Sequence, residues 1–102
     1  MAKVNHMVLI QFKDGTSEQT IAKCFQALAG LQQIIPGIEH FSGGHYSSPE
    51  GLNKGFTHAF VMTFHTPEAR NTYLPHPEHE KVKEFVLPYV EDVIAFDYER
   101  SD

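Results

Sequence analysis

The 102-residue chain has a single cysteine, Cys24, and no tryptophan. One thiol cannot form an internal disulfide, so the fold has to be held by packing alone. Positive charge is also scarce: 8 Lys and Arg, scattered along the chain, face 13 Asp and Glu for a net charge of −5. That balance argues against nucleic acid or an anionic membrane as the main partner. Long apolar runs are missing. Met7-Val8-Leu9-Ile10 is among the longest, far short of the ~18 residues needed to cross a bilayer. Asn5 and His6 interrupt the N-terminal apolar segment, so it does not read as a secretory signal. A soluble, cytoplasmic protein is the expectation, with one domain over residues 1–102 and a core from about 5 to 98.

What is present is ordinary globular composition, 41% hydrophobic and 21% charged, with 7 histidines as the exception. Protonating all of them would carry the formal charge from −5 to +2, so charge is labile in mild acid.

Periodicity gives the elements. Residues 4–12 alternate as a strand, with His6, Val8, Ile10 and Phe12 on one face. Ser17 opens a helix whose apolar stripe is Ile21, Cys24, Phe25, Leu28, Leu31 and Ile35, and Pro36-Gly37 stops it. A weaker strand spans 38–46, where Gly43-Gly44 suggests a bulge or a close backbone approach. Residues 56–64 form a second clear strand carrying His58, Phe60, Met62 and Phe64 on one face. Thr66-Pro67 caps a brief helix, because Pro75 and Pro77 forbid a continuous one. A further helix starts at Pro77 with Val82, Phe85, Val86 and Tyr89 on its apolar side, and a final strand covers 91–98. The order predicts two β-α-β halves of about 45 residues, an α+β ferredoxin-like βαββαβ protomer with a four-stranded antiparallel sheet and its helices on one face. Apolar residues on the other face of the sheet (Met7, Leu9, Val61, Ile94, Phe96) then predict a homodimer that packs sheet on sheet.

Four residues stand out as candidates for chemistry. In the segment 73–79 a proline-broken hinge places Tyr73 at the end of one helix and His79 in the first turn of the next. A helix N-terminus disfavours imidazolium, leaving His79 in the neutral form that acts as a base. Tyr73 is able to donate a hydrogen bond to a carbonyl or a developing enolate. His6 and His58 sit on the inner strand faces, where alternation allows both to approach the same pocket. The bland alternatives are core histidines bonded to backbone carbonyls, with His76 an N-cap and His79 a pocket-lining packer. A metal site built from His6, His58, His76 and His79 is the competing chemistry, but there is no His-Glu-x-x-His motif and Pro77 spoils the His76/His79 pair. Cys24 reads as a buried small hydrophobe, His40, His45 and His65 as solvent-facing, and no phosphate-binding loop is present.

Four ordered segments carry a resemblance: HMVLIQFKD at 6–14, LNKGFTHAF at 52–60, YLPHPEH at 73–79 and VIAFDY at 93–98. Together they resemble the stress-responsive A/B barrel (Dabb) domain family. The resemblance implies dimeric α+β barrels of ferredoxin-like protomers. It covers members without known activity and a plant polyketide cyclase that performs an intramolecular aldol condensation without cofactor. For this chain it implies His79 as the base, Tyr73 as the group holding the enolate oxygen, His6 and His58 as further pocket histidines, and no cofactor. The partner it implies is a small apolar or polyketide-like molecule. The alternative is a non-catalytic stress-response or ligand-binding barrel. Phe56 replaces a common tyrosine and Ser42-Gly43-Gly44 the usual tryptophan-glycine, so the resemblance implies a pocket of different shape.

Overall fold

The computed structural model describes residues 2–101. Strand β1 (Val4–Phe12) is followed by helix α1 (Glu18–Ile34), strands β2 (Ile38–His45) and β3 (His58–Phe64), and helices α2 (Pro67–Tyr73) and α3 (Pro77–Val86). A 3-10 turn over Leu87–Tyr89 leads into strand β4 (Val90–Glu99). The sheet order is β2-β3-β1-β4, with every neighbouring pair antiparallel. This is the ferredoxin-like α+β protomer with a four-stranded antiparallel sheet.

Local chemistry sets the ends of the elements. The Ser17 side chain accepts the Thr20 N–H and caps α1, and Thr66 does the same for α2 through the Ala69 N–H. Each cap satisfies one of the amides that the first helical turn leaves unpaired. Gly37 takes φ +97 just after α1, and a Cβ there would lie 2.7 Å from the Ala69 side chain. The turn therefore needs glycine both for its backbone sign and for the close approach of α2.

The alternation in β1 is strict: Val4, His6, Val8, Ile10 and Phe12 are buried, and the residues between them are half-buried. These side chains meet Phe60, Met62 and Phe64 of β3 and Ile21, Cys24, Leu28 and Leu31 of α1 in one core. The outer face has no such cover, and on β4 Ile94, Phe96 and Tyr98 are 44%, 62% and 44% exposed.

Several boundaries differ from the sequence reading. Strand β3 begins at His58 rather than Phe56, because Phe56 closes a turn by donating its N–H to the Asn53 carbonyl. The irregularity in β2 falls between Ile38 and His40. Gly43 instead gives room to the Phe25 ring, which lies 2.7 Å from where a Cβ would be. The inner stripe of α3 is His79, Val82 and Val86, whereas Phe85 and Tyr89 are 40% and 36% exposed. The 79, 82, 86 spacing sets the stripe, and Phe85 and Tyr89 fall beside it and pair with each other, ring centroids 6.1 Å apart.

Candidate active site

The hinge between α2 and α3 builds one wall of the site. His76 caps α3, its Nδ1 accepting the Glu78 N–H at 3.1 Å. The Leu74 N–H closes α2 on the Arg70 carbonyl, and the Leu74 carbonyl accepts a bond from His79 Nδ1 at 3.0 Å. A carbonyl only accepts, so Nδ1 carries the proton and Nε2 of the neutral ring is left as a base. The His79 ring stacks on Tyr73 with centroids 4.1 Å apart. Tyr73 is fully buried, and its hydroxyl has no hydrogen-bond partner among the described residues.

The opposite wall comes from the sheet. In the register of β1 against β4, His6 lies across from Asp97. His6 Nδ1 donates to Asp97 Oδ1 at 2.6 Å, and Arg70 Nη1 of α2 donates to Oδ2 at 2.7 Å. An ionised carboxylate accepts only, so His6 also keeps Nε2 free of a proton when neutral. Its ring centroid is 5.9 Å from that of Tyr73. His6, Tyr73 and His79 line a cavity of about 230 Å³ whose remaining walls are mainly apolar, with Val8, Ile10, Leu28 and Phe60 inside and Lys83 among the lining residues. Lys83 is ion-paired to Glu80 at 2.8 Å.

This setting pushes the protonation equilibria in useful directions. Burial lowers the His79 pKa below the usual imidazole value; the Leu74 bond opposes the shift and the nearby Lys83 charge adds to it. Burial, reinforced by the Asp97 charge, holds the Tyr73 phenol far above its usual value. The cavity therefore presents a neutral imidazole and a firmly protonated phenol side by side.

His58 is not part of this cluster. Its strand face is the inner one, but it pairs with Ile10 while His6 pairs with Met62, four residues or about 13 Å further along β3. Its Nδ1 is hydrogen-bonded to Thr57 Oγ1 at 2.8 Å and its ring lies 4.7 Å from His45. It lines separate depressions, one with Leu52 and Phe56 and one with Glu18 and Phe25. Burial, followed by the charge of His45, lowers its pKa. Among the described residues no group of three or more His, Cys, Asp or Glu is placed to hold a metal ion. Cys24 is buried, which raises its thiol pKa. No described helix is long and apolar enough to cross a membrane.

Asp97 and Arg70 escape the sequence reading. Both left a signal: Asp97 continues the inward alternation of Val93 and Ala95, and Arg70 stands three residues before Tyr73 on the same helix.

Comparison with known proteins places the chain in a family. The chain is 35% identical over 95 residues to the stress-response A/B barrel domain-containing protein HS1 of Arabidopsis thaliana, covering 93% of this chain and 87% of that one. It is 27% identical over 95 residues to olivetolic acid cyclase of Cannabis sativa, covering 93% and 94%. The crystal structure of the Arabidopsis thaliana protein At3g17210 superposes with a TM-score of 0.92 at 33% identity, over 97% of this chain and 96% of that one. The family model of the stress responsive A/B barrel domain matches residues 4–100, and the chain belongs to that family.

Proposed function

We propose that the cavity is a cofactor-free acid/base site for a small enolisable carbonyl compound, a lyase or cyclase of the polyketide-cyclase type. His79 Nε2 draws the proton from the carbon alpha to the carbonyl. The electron pair of that C–H bond moves into the new C=C bond, and the carbonyl oxygen becomes an enolate held by the Tyr73 O–H. The enolate carbon then attacks a second carbonyl of the same molecule, whose π pair moves onto its oxygen and takes the proton from His79, or the enolate carbon is itself reprotonated from His79. The observation that carries this reading is the Tyr73 hydroxyl, buried without a partner among the described residues and beside an imidazole whose free nitrogen is a base. Leaving a buried hydroxyl unmatched costs about 1–3 kcal/mol, and a ligand oxygen would recover that cost. The similarity to olivetolic acid cyclase supports the reaction class.

The working unit in this reading is a homodimer. One four-stranded sheet cannot close a barrel, whereas two sheets joined through the exposed Ile94, Phe96 and Tyr98 face can.

The test is deuterium exchange at the α-carbon of a simple β-diketone, followed by NMR for wild type and His79→Ala. Exchange accelerated over buffer and lost in His79→Ala is the expected result. Binding of the diketone without acceleration would replace enolisation with the ligand-binding reading.

A further inference from the structure

We propose that Arg70 is a positioning residue for this cavity, acting through Asp97 to hold the His6 ring with its Nε2 presented to the ligand. The inference rests on the enolisation reading for its chemistry and on geometry alone for its structure.

The Asp97 carboxylate is only partly buried, and by itself it is free to turn about its last bond. Arg70 removes that freedom. Its Nη1 takes Oδ2 at 2.7 Å, which leaves Oδ1 for His6 at 2.6 Å. Its Nε donates to Asn71 Oδ1 at 2.8 Å, so the planar guanidinium is fixed at two points rather than one. The chain Asn71, Arg70, Asp97, His6 runs from α2 across β4 to β1 and fixes both the rotamer and the tautomer of the ring. The cavity then offers one strong donor, the Tyr73 O–H, and two acceptors, the Nε2 atoms of His79 and His6. A 1,3-dicarbonyl in its enol form matches that set. Its carbonyl oxygen accepts from Tyr73, its enol O–H donates to His6 Nε2, and a proton on the sp3 carbon on the outer side of that carbonyl is left for His79.

The experiment reads histidine tautomers in protein labelled with nitrogen-15, by long-range proton–nitrogen correlation spectra at a pH where the rings are neutral, alongside diketone exchange. Wild type is expected to show His6 as the Nδ1–H tautomer alone. Arg70→Gln should show both tautomers, with the exchange rate at saturating diketone falling about ten- to hundredfold; Arg70→Lys should recover part of both. In Asp97→Asn, Arg70 should keep the amide oxygen and turn the amide NH2 toward His6, driving the ring to the Nε2–H tautomer. His79, bonded to the Leu74 carbonyl, should stay Nδ1–H throughout and so reports that the hinge remains folded. A wild-type His6 in the Nε2–H form, or an Arg70→Gln spectrum in which His6 is unchanged, would overturn the proposal. Tautomer changes as expected, with no exchange by wild type, would uphold the positioning role and overturn the enolisation reading instead.

Discussion

Tyr73 sets the clearest test at the scale of the residue. Its hydroxyl is desolvated and has no hydrogen-bond partner among the described residues, so in stability terms it is a liability kept for something else. Tyr73→Phe is expected to leave the fold unchanged or up to about 1 kcal/mol more stable in urea denaturation, while diketone exchange falls. A loss of stability would show that the hydroxyl has a structural partner. The lowered pKa values of His79 and His58 give a pH dependence. Both rings bind a proton more readily in the unfolded chain than in the folded one, so the unfolded state carries more protons in mild acid. Their contribution is fully present above the unfolded value of about 6.5. It drains away as pH falls through the lowered folded values. Urea midpoints measured from pH 8 down to 5 should fall across that window, and less steeply in His79→Ala. What the sequence showed at this scale was residue type and facing. His79 and Tyr73 were legible because prolines mark the hinge, whereas the union of Arg70, Asp97 and His6 depends on strand register, which one sequence does not display.

At the scale of the element, α2 is seven residues long, too short to hold itself together without its cap and its packing. Thr66→Ala, which removes the bond to the Ala69 N–H, is expected to cost about 1 kcal/mol. Ser17→Ala at the start of α1 is expected to cost the same. Only Thr66→Ala should also disturb the His6 and His79 ring resonances, since α2 carries Arg70 and Tyr73. Equal disturbance by both would mean that the site is not held through α2. The elements themselves were readable from period and punctuation: Ser17 and Thr66 cap as their sequence positions suggest, and Pro36-Gly37 ends α1. Misreadings arose where tertiary packing decides. Phe85 and Tyr89 look like core by spacing and lie outside it, whereas of the two alternatives at Gly43 the close approach holds and the bulge does not, since a Cβ there would meet the Phe25 ring and the Ala59 carbonyl.

For the whole molecule, the order of strands and helices was enough to give the ferredoxin-like protomer, because two β-α-β halves of this length admit few other sheets. It was not enough to distribute the histidines. His6 and His58 share the inner face, but antiparallel pairing separates them along the sheet, so the structure joins three of the four pocket candidates and leaves His58 in another depression. The outer face carries the remaining prediction. A cluster as exposed as Ile94, Phe96 and Tyr98 is costly in water, and pairing of two sheets would cover it. Light scattering at micromolar concentration should give twice the mass of 11.6 kDa, and Phe96→Asp should give the single-chain mass. A wild-type mass of one chain would contradict the paired barrel.

The central claim, that neutral His79 is the base, is tested most directly by measuring the diketone exchange rate against pH together with the His79 titration followed by NMR in the same protein. The account predicts a rate that rises with pH and levels off, with a midpoint that coincides with that of His79 and lies below about 6.5. A rate with no inflection there, or one whose midpoint follows a different group, would contradict it.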